Sequence, residues 1–246
     1  MKKIIGLLFV LFAVVGLASC TPKTTDKNDK DTTTKSEGVM TYAEYVAAAK
    51  DATVVIETYI QAKQGWWENN GVGNASFYTQ DGNGGYFLYN MPCSEDDYNN
   101  KLTVGAKIRV TGTKGEWAGE LEVVDATWEL LEGYYVAKAL DVTSIFNSDS
   151  ISEKQNLFIS LKGLEVTGAY KYKWDNSGSE GDDLYFDVKL GDKTYSFTVE
   201  SYLCDKDSDV YKAVKELKVG DIIDLEGFLY WYNGAQPHVT SVKVTK

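Results

Sequence analysis

The chain has 246 residues, 43% of them apolar, a single histidine and a formal net charge of −11 at neutral pH. Phosphate backbones and anionic headgroups repel so acidic a protein on average, which disfavours non-specific nucleic-acid binding. One histidine leaves Ser-His-Asp and Cys-His catalysis dependent on a single side chain, and no CxxC, HExxH or Walker sequence supplies the common zinc or phosphate-loop routes.

At the amino end, Met1-Lys2-Lys3 precedes an apolar run from Ile4 to Val15 and then Gly16-Leu17-Ala18-Ser19-Cys20. A basic start, a short apolar core and small residues before a cut site make a secretory signal. The run is shorter than the roughly 20 residues that a bilayer span needs. Leu17-Ala18-Ser19-Cys20 resembles the lipobox of bacterial lipoproteins. That resemblance implies removal of residues 1–19, a diacylglyceryl thioether on Cys20 and an acylated new amino group. Two or three acyl chains hold a protein stably to a membrane, whereas a single chain binds only marginally. An ordinary signal peptide with a chance cysteine is the alternative. Losing Lys2 and Lys3 with the signal takes the net charge from −11 to −13. Thr21, not Asp, follows the cysteine, so a cell membrane and an outer membrane both stay open as locations. From Thr21 to Glu37 the chain is almost wholly Thr, Lys, Asp, Asn and Ser, and residues 20–40 read as the lipidated cysteine and a flexible, disordered tether.

Beyond the tether, Thr41 and Glu44 are spaced as a capping box, with Tyr42, Tyr45, Val46 and Ala49 following at helical spacing. A β-branched strand is expected from Thr53 to about Ala62, then a loop holding Trp66 and Trp67. Segments 75–80 and 86–89 flank Asp81-Gly82-Asn83-Gly84-Gly85, a strong hairpin signal. Residues 94–100 can supply one helical turn. Val104-Gly105 leads into an alternating strand that closes at Gly112, a turn is expected around Lys114-Gly115, and a last strand runs from Glu120 to about Leu130.

The order then repeats. A strand over 157–166 precedes a polar loop with Tyr172 and Trp174, and a hairpin joins 184–190 to 194–199 through Gly191-Asp192. Val210, Val214 and Leu217 share one helix face. A second Val219-Gly220 strand, a turn at Asn233-Gly234 and a final strand over 239–244 complete the set. Leu102, Val104, Gly105, Ile108, Val110 and Gly112 are answered 115 residues later by Leu217, Val219, Gly220, Ile223, Leu225 and Gly227.

Strand, hairpin, short helix, hairpin is the order of the OB-fold, a five-stranded Greek-key barrel with its helix between the third and fourth strands. Tyr78–Tyr89 and Val104–Gly112 resemble the OB-fold domains of extracellular bacterial proteins, including those that precede the catalytic part of secreted Gram-positive nucleases. The expected fold class is therefore mainly β, with tandem OB-fold domains over 41–132 and 133–246. The alternative is one larger β-sandwich built from all the strands. No nuclease domain is read in the 246 residues, so the nucleic-acid role that the resemblance implies is not the expected one.

Catalysis has little to work with. His238 follows Pro237 at the start of an expected edge strand, where a solvated or packing role is read for it. Acids are plentiful, yet a small barrel offers no deep cleft to desolvate a carboxylate pair. Asp205, Asp207, Asp209 and Glu216 match positions 1, 3, 5 and 12 of an EF-hand-like loop, but Val210 stands where the sharp turn wants Gly, and capping of the helix by Ser208 or Asp209 is the simpler reading. No enzyme, metal or cofactor is expected. Cys93 and Cys204 could form a disulfide after export, although the repeat places them in separate modules and favours two buried thiols.

The aromatic residues are the better clue. OB-folds bind ligands on the face of strands two and three, between the loops that join strands one to two and four to five. Those loops hold Trp66, Trp67 and Trp117 in the first module and Tyr172, Trp174, Trp231 and Tyr232 in the second, with Tyr78 and Tyr86 expected to extend the first floor. Such rings stack on bases, pack against sugar C–H faces or anchor a protein contact. The expected function is a lipid-anchored, non-catalytic binding protein with a carbohydrate or protein ligand. Surface capture of single-stranded nucleic acid is the second reading; it requires Lys63, Lys107, Arg109 and Lys114 beside the tryptophans. A purely structural envelope protein is the third, and it requires Trp66, Trp117, Trp174 and Trp231 buried between the modules.

Overall fold

A computed structural model of the protein describes residues 35–246. The expected signal peptide, Cys20 and the expected tether through residue 34 lie outside the described residues. No helix among the described residues is long and apolar enough to cross a membrane. The last six residues assigned to the tether pack on the first barrel. Lys35 Nζ pairs with Asp81 at 2.5 Å, and the Met40 N–H donates to the Val55 carbonyl at 2.8 Å.

Helix α1 (Tyr42–Ala47) opens on the capping box: Glu44 N–H donates to Thr41 Oγ1, and Thr41 N–H donates to Glu44 Oε2. Five strands then close a barrel: β1 (Thr53–Lys63), β3 (Val72–Gln80), β4 (Gly85–Pro92), β5 (Ala106–Trp117) and β6 (Glu120–Tyr134), with a short β2 (Trp67–Asn69) extending the first hairpin. Pairing runs β1-β3-β4-β6-β5 and returns to β1; β4–β6 is parallel and the other neighbours are antiparallel. Helix α2 (Glu95–Asn100), capped by Ser94, lies between β4 and β5. Val54, Ile56 and Ile60 from β1, Phe77 from β3, Tyr86 and Leu88 from β4 and Ile108 and Val110 from β5 fill the interior in strand alternation.

The second half repeats this closure. A short β7 (Leu140–Asp141) and a 3-10 turn over Asp149–Lys154 precede β8 (Phe158–Tyr172), β9 (Leu184–Leu190), β10 (Lys193–Val199), β11 (Ile222–Phe228) and β12 (His238–Val244), with α3 (Asp209–Glu216) between β10 and β11. Pairing runs β8-β9-β10-β12-β11 and back to β8, again with one parallel pair, β10–β12. Each half is an OB-fold barrel. A continuous sandwich is excluded, because the two sheets share no strand.

The repeated glycines explain themselves. Gly105 and Gly220 have φ of +88° and +96°, the left-handed turn that opens each fourth strand. Gly112 and Gly227 sit where the register to the last strand slips by one residue, and a Cβ on either would lie 2.7 Å from Val123 Cγ1 or 2.4 Å from the His238 carbonyl oxygen. Two local expectations are corrected. Lys114-Gly115 is not a turn: the Lys114 ammonium is buried and donates to the Val46 and Ala48 carbonyls, both at 2.6 Å, so β5 continues to Trp117 and turns at Ala118-Gly119. Nor is β12 an edge strand, for it lies between β11 and β10. Ser208 caps α3, as the simpler reading of the acidic loop has it. Cys93 and Cys204 stand in different barrels as free thiols, and burial raises both to about 11.

Candidate functional site

The barrels are packed against each other through polar joints that neither module shows alone. Tyr78 Oη and His238 Nδ1 are 2.8 Å apart, and the Tyr78 ring stacks on Phe228 at 4.5 Å. The Phe158 N–H donates to Gln80 Oε1 at 2.9 Å, and the Trp231 N–H donates to Glu120 Oε2 at 2.7 Å. Gln155 spans the β5–β6 turn, accepting from Leu121 N–H and donating to the Gly119 carbonyl. Burial drives the Glu120 carboxyl up to about 8 and drives His238 down to about 3, so at neutral pH the joint holds both groups largely uncharged.

Beside this joint, facing strands and loops of both barrels enclose a cleft of about 970 Å³. The first barrel contributes Ser76 from β3, Phe87, Tyr89 and Asn90 from β4, and Gln64 and Gly65 after β1. The second contributes Tyr185 from β9, Thr198 from β10, and Asp183, Glu200 and Tyr202 from the adjoining loops. Trp67 and Trp117 come from the two recognition loops of the first barrel, Trp174 and Tyr232 from those of the second. Four loops that the sequence assigns to two separate sites thus converge on one.

Of the aromatic residues singled out by the sequence, Trp67, Trp117, Trp174 and Tyr232 reach this cleft with exposures of 40, 63, 74 and 51%. Trp66 is half-buried against its own barrel core, with its Nε1–H donating to the Cys93 carbonyl at 3.0 Å. Tyr172 packs edge-on to Tyr170 against the second core. Trp231 belongs to the joint, where it covers Gly119. Tyr78 and Tyr86 are corrections, since both are fully buried and have no surface for a ligand. Tyr86 shares its side of β4 with core residue Leu88 and donates to Asp81 Oδ2; Tyr78 is on the outer face but the second barrel covers it. On β4, period-two alternation applied strictly replaces Tyr86 by Phe87 and Tyr89, because they lie on the other side from the inward residues of that strand. The same rule finds Tyr185 between Leu184 and Phe186.

Charge is as informative as shape. Among the described residues no lysine or arginine lines the cleft, whereas Asp183 and Glu200 do. The four cationic residues needed for nucleic-acid capture are engaged elsewhere: Lys63 lies over the Tyr98 ring at 3.8 Å, Lys107 and Arg109 pair with Glu57 at 3.1 and 2.9 Å, and Lys114 holds the end of α1. The expectation that small barrels leave no room to enclose carboxylates is also corrected; the joint between them creates that room.

No protein-family model and no curated protein matches the chain. Among solved structures it is similar to a murine DNA-binding protein bound to double-stranded DNA, at 12% identity and a TM-score of 0.36 over 78% of this chain and 98% of that one. The p204 HINb domain is similar at 8% identity and a TM-score of 0.34, over 80% and 100% of the two chains. The wild-type single-stranded DNA-binding protein from Thermus aquaticus is similar at 12% and 0.27, over 80% and 95%. Strand order and barrel closure, not these likenesses, define the fold.

Proposed function

We propose that the protein is a lipid-anchored, extracytoplasmic and non-catalytic binding protein whose two barrels present one shared site, the inter-barrel cleft, to a carbohydrate. One observation carries the reading: nine aromatic side chains line the cleft beside amides, hydroxyls and two carboxylates, with no cation among them. Flat rings pack against sugar C–H faces, and a few convergent polar groups fix the hydroxyls. A phosphate-bearing polymer would meet two carboxylates there and release no counterions by neutralisation. Support for a non-catalytic site comes from the carboxylates themselves. Glu200 Oε2 accepts from Gln64 Nε2 at 3.0 Å and Oε1 from Tyr202 N–H at 3.2 Å, while Asp183 Oδ1 accepts from Ser201. Both oxygens of Glu200 face fixed donors, an arrangement that holds the carboxyl in place as a recognition group.

Tryptophan fluorescence of the mature protein, titrated with neutral oligosaccharides and with single-stranded oligonucleotides at two salt concentrations, tests this. Saccharide binding that is insensitive to salt and weakened at least about tenfold in Trp117→Ala and Trp174→Ala is expected. Binding only of oligonucleotides, with a steep salt dependence, would replace the reading by nucleic-acid capture. The anchor is tested separately: labelling with a palmitate analogue should be lost in Cys20→Ser, and persistence of the label in that variant would refute lipidation at this residue.

A further inference from the structure

Buried carboxylates elsewhere in the molecule show what ordinarily accompanies such a charge. Glu57, 4% exposed, is held by Lys107 and Arg109, and Asp81, 1% exposed, is held by Lys35. Glu200 is 8% exposed and, among the described residues, makes no ion pair within 4.0 Å. Glu120 and Glu122 also have no cation, but they are sealed in and beside the joint; Glu200 opens on the cleft. An isolated buried carboxylate is costly unless a partner arrives. Gln64 and the Tyr202 N–H orient Glu200 without supplying positive charge, and burial first, then the nearby charge of Asp183, disfavours its ionisation.

Around this pair the wall is aromatic. Burial is the main cause that raises the hydroxyls of Tyr185 and Tyr230. Neighbouring carboxylates add to it, Asp183 before Glu200 at Tyr185 and Glu120 and Glu122 before Glu200 at Tyr230, and both rings line the cleft with Glu200. Thr198, 1% exposed, lines the same wall beside Tyr185. Ring faces attract cations through their quadrupole, and a carboxylate pair beside them adds charge and hydrogen-bond acceptors.

We infer that the ligand of this cleft carries a cationic nitrogen, as a saccharide with a protonated amine does, and that Glu200 with Asp183 is its recognition point. This rests on the carbohydrate reading above and narrows it. The ammonium supplies the missing counter-charge, its N–H groups reach carboxylate lone pairs that Gln64, Tyr202 and Ser201 leave open, and the rings hold the sugar faces on either side. Displacement of a neutral hydroxyl by an ammonium then strengthens binding at this one locus, whereas acetylation of the amine removes the charge and the gain.

The test compares a glucosamine oligomer with its fully N-acetylated counterpart and with a glucose oligomer of the same length, by calorimetric titration of the full mature protein. The expected result is binding of the glucosamine oligomer about tenfold or more tighter than of the other two, a preference that shrinks with added salt and disappears in Glu200→Gln. Equal binding of all three overturns the inference and leaves the carbohydrate reading intact. A preference that survives in both Glu200→Gln and Asp183→Asn overturns the assignment to these carboxylates. Binding of none of the three overturns the carbohydrate reading itself, and the inference falls with it. Should Glu200→Gln fail to fold, the salt dependence of the wild-type preference decides, and a preference unchanged between low and high salt overturns the ionic recognition.

Discussion

At the scale of single residues, the joint depends on one side-chain pair more than on any other. Tyr78 brings a fully buried hydroxyl to His238 Nδ1, and the His238 ring stacks on Tyr230 at 4.3 Å. Removing the hydroxyl leaves a buried imidazole nitrogen without its partner, which costs about 1–3 kcal/mol. Tyr78→Phe is therefore expected to lower the unfolding free energy by that amount, read as a lower urea midpoint at unchanged slope, while preserving the ring stack on Phe228. An unchanged midpoint would show that water or a shifted tautomer replaces the contact at no cost. The same residue shows how far local pattern carries. Its outward orientation follows from strand alternation, but the second barrel that covers it has no signature within residues 72–80.

At the scale of elements, the last hairpin of each barrel is set by a glycine. The bulge at Gly227 brings β11 so near β12 that a Cβ would sit 2.4 Å from the His238 carbonyl oxygen and 2.9 Å from Val239 Cα. Those are backbone atoms, and no rotamer change relieves them. Gly227→Ala should cost at least about 1–3 kcal/mol, the usual penalty of overpacking, and chemical denaturation reads it directly. A stability within experimental error of wild type would mean that the bulge relocates. This feature was legible, because the matched Gly112 and Gly227 close two strands of the same pattern. The turn at Ala118-Gly119 was not. Lys114-Gly115 has turn composition, and only the tertiary contact of the Lys114 ammonium with the end of α1 extends the strand past it.

At the scale of the whole molecule, three carboxyls at the joint and cleft link stability to pH. Burial raises Glu120 to about 8 and Glu122 and Glu200 to about 7, from 4.5 in an exposed chain. For a raised acid the folded state retains the proton longer, so its contribution is complete below 4.5 and is lost as pH climbs through the folded value. His238, lowered from 6.5 to about 3, acts in the opposite sense, but only below 6.5. Between pH 6.5 and 8 the carboxyls act without that opposition, at about 1.4 kcal/mol per pH unit for each retained proton. The melting temperature should therefore fall by several degrees across this window, with roughly 2–4 °C per kcal/mol for a chain of this size. Glu120→Gln should flatten the fall above pH 7. A melting temperature that is constant or rising from pH 6.5 to 8 in the wild type would show that these groups are solvated.

The sequence by itself determined the two closed barrels, since strand alternation, turn glycines and helix caps act between residues near in the chain and recur in both halves. It also placed aromatic side chains in all four recognition loops. Tertiary structure decided that those loops share one cleft, that Tyr78, Tyr86 and Trp231 are withdrawn from it, and that Asp183 and Glu200 enter it without a cation. The reason is the range of the forces involved. Backbone geometry and burial periodicity are local and leave a pattern, whereas the packing of one barrel on the other joins residues up to 160 positions apart, through hydrogen bonds that no spacing rule connects.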